Sequence, residues 1–271
     1  MANSSGNGPA RRASDRGRYG RLSRERVLAA ALALVDEEGL SALSMRRLGA
    51  ELGVEAMALY RYAASKDALL DGLVEALYLE LEERLDAAPA TAGRGAHGPA
   101  PETDAPEAGG RPETRGPEGA GGPVRGPEDG GTVRDRLHRI ARATYDVCLA
   151  HPRAVPLLAT RMLAVPLARR PLAVLRNHER VLALLRESGL DDARAAAVFR
   201  AFTAWLLGYV SVEVQPVVDA PDEPDPAFRL GLHRMPAQEL PRLRETAPAL
   251  AAPGGPEGLA AGLDALLDRF V

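Results

Sequence analysis

The chain has 271 residues, of which 46% are hydrophobic and only 4% aromatic, and its formal net charge at pH 7 is −3. The hydrophobic fraction is typical of a globular protein. With so few aromatic residues, the core must be built from Leu, Ala and Val, which favours helices over sheets. The slightly negative charge excludes a chain that binds nucleic acid through overall basicity, so such a function requires a local basic surface.

The cysteine count and the hydropathy pattern bear on the compartment. Cys148 is the only cysteine, which excludes an intrachain disulfide and suits a reducing cytoplasm. No apolar stretch follows the N-terminal arginines, so the sequence predicts no secretory signal. The longest apolar run, from Phe202 to Val212, is about half of a membrane span. We therefore expect a soluble cytoplasmic protein without a membrane partner.

The N-terminal part of the chain divides into an arm and four helices. Residues 1–20 show no periodicity and are rich in Gly, Ser and Arg, which predicts a disordered basic arm. From Leu22 onward, apolar residues recur at spacings of three and four, and serines stand where N-caps are needed. The expected elements are a helix from Ser23 to Gly39, a second from about Met45 to Leu52 capped by Ser44, a third that begins near Glu55, and a longer helix from Lys66 to Leu85 capped by Ser65.

A segment of different composition follows. Residues 87–131 contain 12 Gly and 8 Pro and no aromatic residue, Leu or Ile. Such a segment cannot bury enough apolar surface to offset its chain entropy, which predicts a flexible insertion. A regulatory or interaction segment is the alternative to a simple linker.

The remaining residues return to a helical pattern. The expected elements are helices over Val133–Ala150, a short piece after His151-Pro152, helices over about Pro171–Glu187, about Asp192–Val214 and Glu257–Phe270, and only short helical turns in the proline-rich residues 216–256. No stretch has a convincing strand pattern. We therefore predict an all-α protein, with a three-helix helix-turn-helix domain over residues 21–68, a connecting helix over 69–86, and a larger C-terminal bundle over 132–271 for ligand binding and dimerisation.

The stretch LGVEAMALYRYAASKDALL carries the functional signal. Two short helices joined by a tight turn at Gly53 are typical of a helix-turn-helix, whose second helix enters the major groove of DNA. Arg61 and the preceding Arg46 can bond guanine edges or phosphate, while Tyr60 and Tyr62 can offer their hydroxyls to phosphates. Small apolar side chains at 56–58 can contact thymine methyls, and the helix N-termini at Ser44 and Lys66 favour phosphate. An ordinary helix pair with incidental tyrosines is the alternative.

A family resemblance adds to this reading. The sequence from Leu22 to about Leu77, including GLSALSMRRLGAELGV and ALYRYAASKDALL, strongly resembles the DNA-binding domain of the TetR family of bacterial transcriptional repressors. The resemblance implies a palindromic DNA operator bound by a homodimer. It places the DNA-contacting positions at Ser44, Arg46, Ala56, Met57, Ala58, Tyr60, Arg61, Tyr62 and Lys66. Residues 56–58 differ from the polar or Pro residues of the tetracycline repressor, so the resemblance does not give the operator sequence.

The C-terminal half resembles the tetracycline-repressor branch more loosely, through LAHPRAVPLLATR and through Leu207 to Tyr209. In that repressor a histidine shortly before a Thr-Arg pair helps to hold a metal–drug chelate. Here Leu157, Leu158 and Ala159 precede Thr160-Arg161, and the Gly/Pro insertion replaces another histidine-containing stretch. These departures argue against a magnesium–tetracycline ligand.

Aromatic and polar residues in the second half form a candidate ligand-binding set: Tyr145, Arg161, Met162, His178, Phe199, Phe202, Trp205 and Tyr209. Helical spacing alone also allows many of them to be core residues. An apolar lining with a few polar groups suits a small hydrophobic or aromatic effector. A constitutive DNA-binding dimer without a ligand is the alternative.

The sequence offers little support for metal binding, cysteine chemistry or catalysis. The five histidines (His97, His138, His151, His178 and His233) have no metal-ligand spacing, and each is expected to be exposed or hydrogen-bonded. Cys148 lies on an apolar helix face and is expected to be a small buried hydrophobe. No nucleophile–base motif, P-loop or dinucleotide fingerprint occurs. We therefore expect no cofactor and no enzymatic activity, and an all-α enzyme with an unrecognised active site is the remaining alternative.

The dimer interface is expected on two helices. Small residues recur along one face of the helix after Asp191, at Ala197, Ala201, Ala204, Gly208 and Ser211. The last helix presents Leu259, Leu263, Leu266, Leu267 and Phe270, which would form an exposed apolar patch without a partner. The resemblance implies that these two helices pair with their copies. Tight packing within one chain is the alternative explanation of the small residues.

Overall fold

The computed structural model of the protein describes residues 22–87, 131–219, 223–229, 231, 234, 236 and 238–270. The predicted basic arm (residues 1–20) lies outside the described residues, as do residues 88–130 of the predicted insertion. All regular secondary structure in the described residues is helical, which confirms the predicted all-α class.

The N-terminal helices are α1 (Arg24–Glu38), α2 (Met45–Leu52), α3 (Ala56–Leu59) and α4 (Lys66–Ala87). The predicted serine caps are confirmed, because each hydroxyl accepts a backbone N–H three residues later. Ser23 accepts from Arg26 at 3.2 Å, Ser44 from Arg47 at 3.1 Å, and Ser65 from Ala68 at 3.0 Å. These bonds satisfy donors that the first helical turn leaves unpaired.

The third helix, α3, consists of a single turn. The N–H groups of Tyr62 and Ala63 both donate to the carbonyl of Leu59, at 2.8 and 3.0 Å, and so close α3 after a single turn. Ala63 is then buried under the bundle. Tyr60, Arg61 and Tyr62 therefore lie in the turn that follows α3 rather than on a continuing helix.

Two glycines permit the close approach of α2 and α3. Gly53 has φ 66° and ψ 30°, a left-handed conformation in which a side chain would be strained. Gly49 faces the start of α3, where an added Cβ would lie 2.8 Å from the carbonyl oxygen of Val54. Leu48 and Leu59, both 0% exposed, then close the core between the two helices.

The C-terminal helices are α5 (Val133–Ala150), α6 (Val155–Ala164), α7 (Leu172–Glu187), α8 (Asp192–Asp219), α9 (Pro226–Arg229), α10 (Pro241–Ala251) and α11 (Gly255–Leu267). The expected bounds of α5 are confirmed, whereas α8 continues past Val214. The expectation of only short turns over residues 216–256 is wrong for α10, which has 11 residues. Pro241 occupies its first turn, where the missing N–H costs nothing, and most of α10 is exposed.

The connecting helix α4 carries the chain from α1 and α2 into the larger bundle. Its Leu69, Leu73, Leu77 and Leu81 are buried, as their spacing predicts. They pack where α4 contacts α1, α5, α6 and α7. The same continuous core therefore lies under both the helix-turn-helix and the C-terminal helices.

Helix α8, with 28 residues, is the longest helix of the described chain. Its Asp192–Gln215 stretch, with a mean hydropathy of 1.5, is long and apolar enough to cross a membrane by length and composition alone. In the structure one face of α8 packs against α5, α6, α7 and α11. Val198, Phe202, Leu206, Val210 and Val214 are buried on that face, as in a core helix of a bundle.

The apolar face of the last helix is covered by its own chain. Leu259, Leu263 and Leu267 are at most 3% exposed, because α11 packs on α5 and α8. Arg134 of α5 fastens the helix through Asp264 at 2.7 Å and Asp268 at 2.6 Å. The prediction that α11 would leave an apolar patch without a partner chain is therefore wrong, although Phe270 is 43% exposed.

Candidate functional site

The helix-turn-helix presents an exposed surface with both cationic and apolar side chains. Met57 is 76% exposed and Tyr60 44% exposed, while Leu59 between them is fully buried. Arg61 is exposed in the turn after α3. Arg46 is exposed in the first turn of α2, one turn before Gly49, and so lies on the side of α2 that faces α3. We call Arg46, Met57, Tyr60 and Arg61 the recognition surface.

Tyr62 has a different position from that expected. Its ring is half-buried and its hydroxyl donates to the backbone carbonyl of Leu22 at 2.8 Å, so that hydrogen atom is not available to a phosphate. The guanidinium of Arg61 lies 5.9 Å from the centre of the Tyr62 ring, within the range of a cation–π contact. Tyr62 therefore anchors the chain before α1 and supports Arg61. Ala56 and Ala58 are also half-buried.

Two adjacent arginines in α2 have different environments. The Arg47 guanidinium contacts Glu38 at 2.5 Å and Glu51 at 3.0 Å, so its charge is balanced by two carboxylates. Arg46 is exposed beside it. At the start of the next helix Lys66 is also exposed, next to the Ser65 cap. Arg47 is thus held by ion pairs within the protein, whereas Arg46 and Lys66 face the solvent.

A polar cluster joins the helix-turn-helix to the C-terminal bundle. His151 contacts Asp36 of α1 through Nδ1 at 2.7 Å and Glu80 of α4 through Nε2 at 2.9 Å. Arg153 donates to the backbone carbonyls of Asp36 and Glu37 at the end of α1. No local pattern in the sequence indicates this cluster, because the residues that its contacts join are 71 to 117 positions apart along the chain.

The electrostatics of this cluster favour the ionised Glu80. Burial acts to raise the pKa of Glu80, but hydrogen bonds from Arg84 and His151 outweigh it and hold the pKa below its ordinary value of 4.5. The Arg84 contact is 2.6 Å long. The cluster therefore combines a carboxylate of the connecting helix with groups from both halves of the molecule.

Arg161, predicted to bind a ligand, has two carboxylate partners within the chain. Its Nη2 lies 2.5 Å from Asp71 and its Nη1 lies 3.1 Å from Asp67, both on α4. The Arg161 side chain is only 17% exposed. In this structure it ties α6 to the first two turns of α4.

Three of the predicted ligand residues meet between α5, α8 and α11. The Tyr209 ring centre lies 5.7 Å from that of Trp205 and 6.3 Å from that of Tyr145. The Tyr209 hydroxyl donates to the carbonyl of Gly255 at 2.6 Å. Burial, followed by the nearby Glu213 carboxylate, raises the pKa of both tyrosines. We call Tyr145, Trp205 and Tyr209 the aromatic cluster.

The aromatic cluster is packed against glycines. An added Cβ would lie 2.7 Å from the Tyr209 hydroxyl at Gly258 and 2.7 Å from Trp205 Cζ2 at Gly262. The absence of side chains at these positions lets α11 approach the two rings directly. The cluster is accordingly a packed contact between helices in this structure.

The other predicted ligand residues occupy separate places. The His178 ring contacts Phe199 edge-on at 5.0 Å, and Phe202 is buried in the core. Neither ring nitrogen of His178 has a hydrogen-bond partner among the described residues, contrary to our expectation for the histidines. Burial, and then the Arg170 cation, lowers the pKa of His178 to about 4. The side chain of Met162 lies outside the described residues.

Two cavities occur elsewhere in the described structure. The larger, of about 410 Å³, lies at the junction of the helix-turn-helix and the bundle and is lined by Glu38, Gly39, Leu40, Pro152, Arg153, Val155, Pro156, Ser211, Val214 and Gln215. The smaller, of about 130 Å³, lies between α4, α5 and α7. None of the predicted ligand residues lines either cavity.

The two remaining candidates for chemistry are the thiol of Cys148 and possible metal-binding side chains. Cys148 is 2% exposed, and burial raises the pKa of its thiol to about 12, so the expectation of a small buried hydrophobe is confirmed. Among the described residues, no group of three or more His, Cys, Asp or Glu side chains is arranged to hold a metal ion.

Comparisons with known proteins agree with the two-part architecture. Residues 27–73 match the family described as bacterial regulatory proteins, tetR family, and residues 126–268 match the tetracyclin repressor-like C-terminal domain. The HTH-type transcriptional repressor DrrR1 of Streptomyces coeruleorubidus is 29% identical over 197 residues, which are 73% of this chain and 56% of that protein. The chain therefore spans little more than half the length of this relative.

Solved structures show the same fold at low sequence identity. A possible TetR family regulator from Streptomyces coelicolor A3(2) matches with a TM-score of 0.63 and 24% identity, over 91% of this chain and 98% of that one. The S. coelicolor TetR family protein ActR in complex with actinorhodin matches with a TM-score of 0.60 and 22% identity, over 93% and 97% of the two chains. Since the C-terminal family match alone spans more than half of the chain, this protein belongs to the TetR family of bacterial transcriptional regulators.

Proposed function

We propose that this protein is a cytoplasmic repressor that binds a palindromic operator as a homodimer and is released by a small hydrophobic or aromatic molecule. The recognition surface is the observation that supports the proposed binding to DNA. Met57 of α3 and Tyr60 in the turn after it are large side chains exposed to solvent, whereas Leu59 between them is buried. Arg46 and Arg61 flank them with positive charge, which suits a groove lined by phosphates and base edges.

The operator is tested by selecting bound fragments from a random DNA library with the purified full-length chain. We expect a palindrome whose half-sites are about one helical turn apart or more, as for other dimeric helix-turn-helix proteins. Recovery of no preferred sequence would contradict the proposal. A preferred sequence without two-fold symmetry would contradict its dimeric form.

The dimer part rests on the outer face of α8. Ala204 and Gly208 are exposed there, Val212 is 71% exposed, and an added Cβ at Gly208 would meet no atom of its own chain within 4 Å. A face of small and apolar residues allows a second helix to approach closely. Gly208→Glu should therefore give monomers in sedimentation and abolish operator binding. The matched control Ala183→Glu, on the exposed face of α7, should remain a dimer.

The effector part rests on the aromatic cluster and on the polar groups around it. Because α11 lies directly on Trp205 and Tyr209, a molecule that enters between these rings has to displace α11 from α8. If α8 and α11 form the dimer interface, such a displacement changes the spacing of the two recognition surfaces. The structure of ActR with actinorhodin, which has the same fold, supports a ligand in this class of domain.

A constitutive DNA-binding dimer is the second candidate, because the aromatic cluster is packed and lines neither the 410 Å³ cavity nor the 130 Å³ cavity. A screen of hydrophobic and aromatic compounds distinguishes the two proposals. An effector should change both Trp205 fluorescence and operator affinity, and by linkage the operator should weaken effector binding by the same factor. A screen in which no compound changes both quantities would favour the constitutive dimer.

A further inference from the structure

Three arginine side chains surround the smaller cavity. It has a volume of about 130 Å³ and lies where the end of α4 meets the first half of α5 and the middle of α7. Its lining residues are Leu85, Asp86, Arg136, Arg139, Ile140, Arg180 and Leu184. The cavity is therefore formed by apolar residues from all three helices and by charged groups.

The lining contains charged groups from all three helices. Arg136 and Arg180 contribute guanidinium groups and Asp86 contributes a carboxylate, and Arg136 forms an ion pair with Glu187. A buried cationic donor without a hydrogen-bond partner is costly, which favours an additional anion.

Two of the guanidinium groups also have unused donors. Arg136 Nε and Arg180 Nη1 are buried atoms with no hydrogen-bond partner among the described residues. An unsatisfied buried donor costs free energy, and a charged donor costs more than a neutral one. Guanidinium donors match the geometry of carboxylate and phosphate oxygens, with which they form short charge-assisted bonds.

We propose that this cavity binds a small oxyanion, the phosphate or carboxylate group of an anionic ligand, between Arg136 and Arg180. Its volume suits such a group rather than a whole drug-sized molecule, for which pockets of about 300–1,000 Å³ are usual. The site is separate from the aromatic cluster, and the inference does not depend on the proposed effector. It lies at the far end of α4, the helix that connects the bundle to the helix-turn-helix.

The test is calorimetry on the full-length chain with sodium phosphate and, separately, sodium acetate. Each anion is compared with sodium chloride at the same ionic strength, so that general screening is subtracted. Arg180→Gln removes one charge while keeping a long polar side chain, and Arg136→Gln is the second variant. Arg194→Gln is the control, because its side chain is 77% exposed in the first turn of α8.

We expect phosphate or acetate to raise the Tm of the wild-type protein beyond the effect of chloride, since a ligand that binds only the folded state stabilises it. Arg180→Gln should weaken that binding about tenfold or more, as expected for the loss of a charge-assisted bond. Arg194→Gln should leave it unchanged. The anion that acts identifies phosphate or carboxylate as the preferred group.

Two outcomes would overturn the proposal. In one, neither anion raises the wild-type Tm more than chloride, which needs no variant to decide. In the other, Arg180→Gln or Arg136→Gln folds with a lower Tm but responds to the anion as the wild type does. That result would show that these arginines only support the fold.

Discussion

His151 Nδ1 lies 2.7 Å from Oδ2 of Asp36, and this contact joins the end of α5 in the C-terminal bundle to α1, the first helix of the helix-turn-helix half. The other ring nitrogen of His151 contacts Glu80 on α4. The imidazole of His151, which follows α5, therefore contacts both α1 and α4. Because α1 packs against α2, and α2 against α3, the contact links the bundle to the recognition surface through two helix contacts.

Replacement of His151 by Ala should lower the free energy of unfolding by about 1–3 kcal/mol, since it leaves two partly buried carboxylates without their shared partner. The measurement is urea denaturation at pH 7. His138→Ala is the control, because His138 contacts the half-exposed Asp264 at 2.8 Å and should cost less than about 1 kcal/mol. An equal decrease in the free energy of unfolding for the two variants would show that the His151 contacts stabilise the fold no more than the more exposed His138 contact does.

The buried His178 should make stability depend on pH. Burial, followed by Arg170, lowers its pKa from 6.5 to about 4. Between these values the unfolded chain binds a proton that the folded chain does not, so the free energy of unfolding decreases as the pH falls from 6.5 to about 4. The full decrease attributable to His178 is about 3 kcal/mol.

The check for His178 is chemical denaturation across that pH window. His178→Leu, which fills a similar volume without a titrating group, should remove most of this decrease. The control His138→Ala should retain it. A wild-type protein whose stability is the same at both ends of the window would contradict the burial of an uncharged His178.

The packing of α11 on the aromatic cluster predicts a steric effect. Gly262→Ala places a methyl group 2.7 Å from the Trp205 ring, which is held by its neighbours. Overpacking of this kind costs about 1–3 kcal/mol, and the Trp205 emission should change because the ring must move. Thermal unfolding followed by tryptophan fluorescence measures both. An unchanged Tm and spectrum would show that α11 does not sit on Trp205 in solution.

Local signals in the sequence were sufficient for much of the fold. The Ser23 and Ser44 caps and the bounds of α5 follow from rules that involve neighbours within one or two turns. The burial of Leu69, Leu73, Leu77 and Leu81 follows from their spacing alone. The exposed Met57 beside the buried Leu59 was also predictable, because the helix-turn-helix pattern assigns their faces.

Contacts between distant parts of the chain could not be predicted in this way. Nothing near His151 in the sequence indicates Asp36, which precedes it by 115 residues. The glycines of α11 gave no sign that Trp205 and Tyr209 would lie against them. For the same reason the coverage of Leu259 and Leu263 by their own chain was missed, since helical spacing shows an apolar face but not what covers it.

The proposed contact between the recognition surface and operator DNA is tested most directly by a comparison of Arg46 and Arg61 with Arg47, the neighbour of Arg46. Operator affinity is measured by fluorescence anisotropy for Arg46→Ala, Arg61→Ala and Arg47→Ala, on the selected operator and on single-base variants of it. Arg46→Ala and Arg61→Ala should each cost about 1–3 kcal/mol and relax specificity at individual bases. Arg47→Ala should change affinity by less than about threefold, because that guanidinium is already held by Glu38 and Glu51. Wild-type affinity and specificity in both Arg46→Ala and Arg61→Ala would contradict the account.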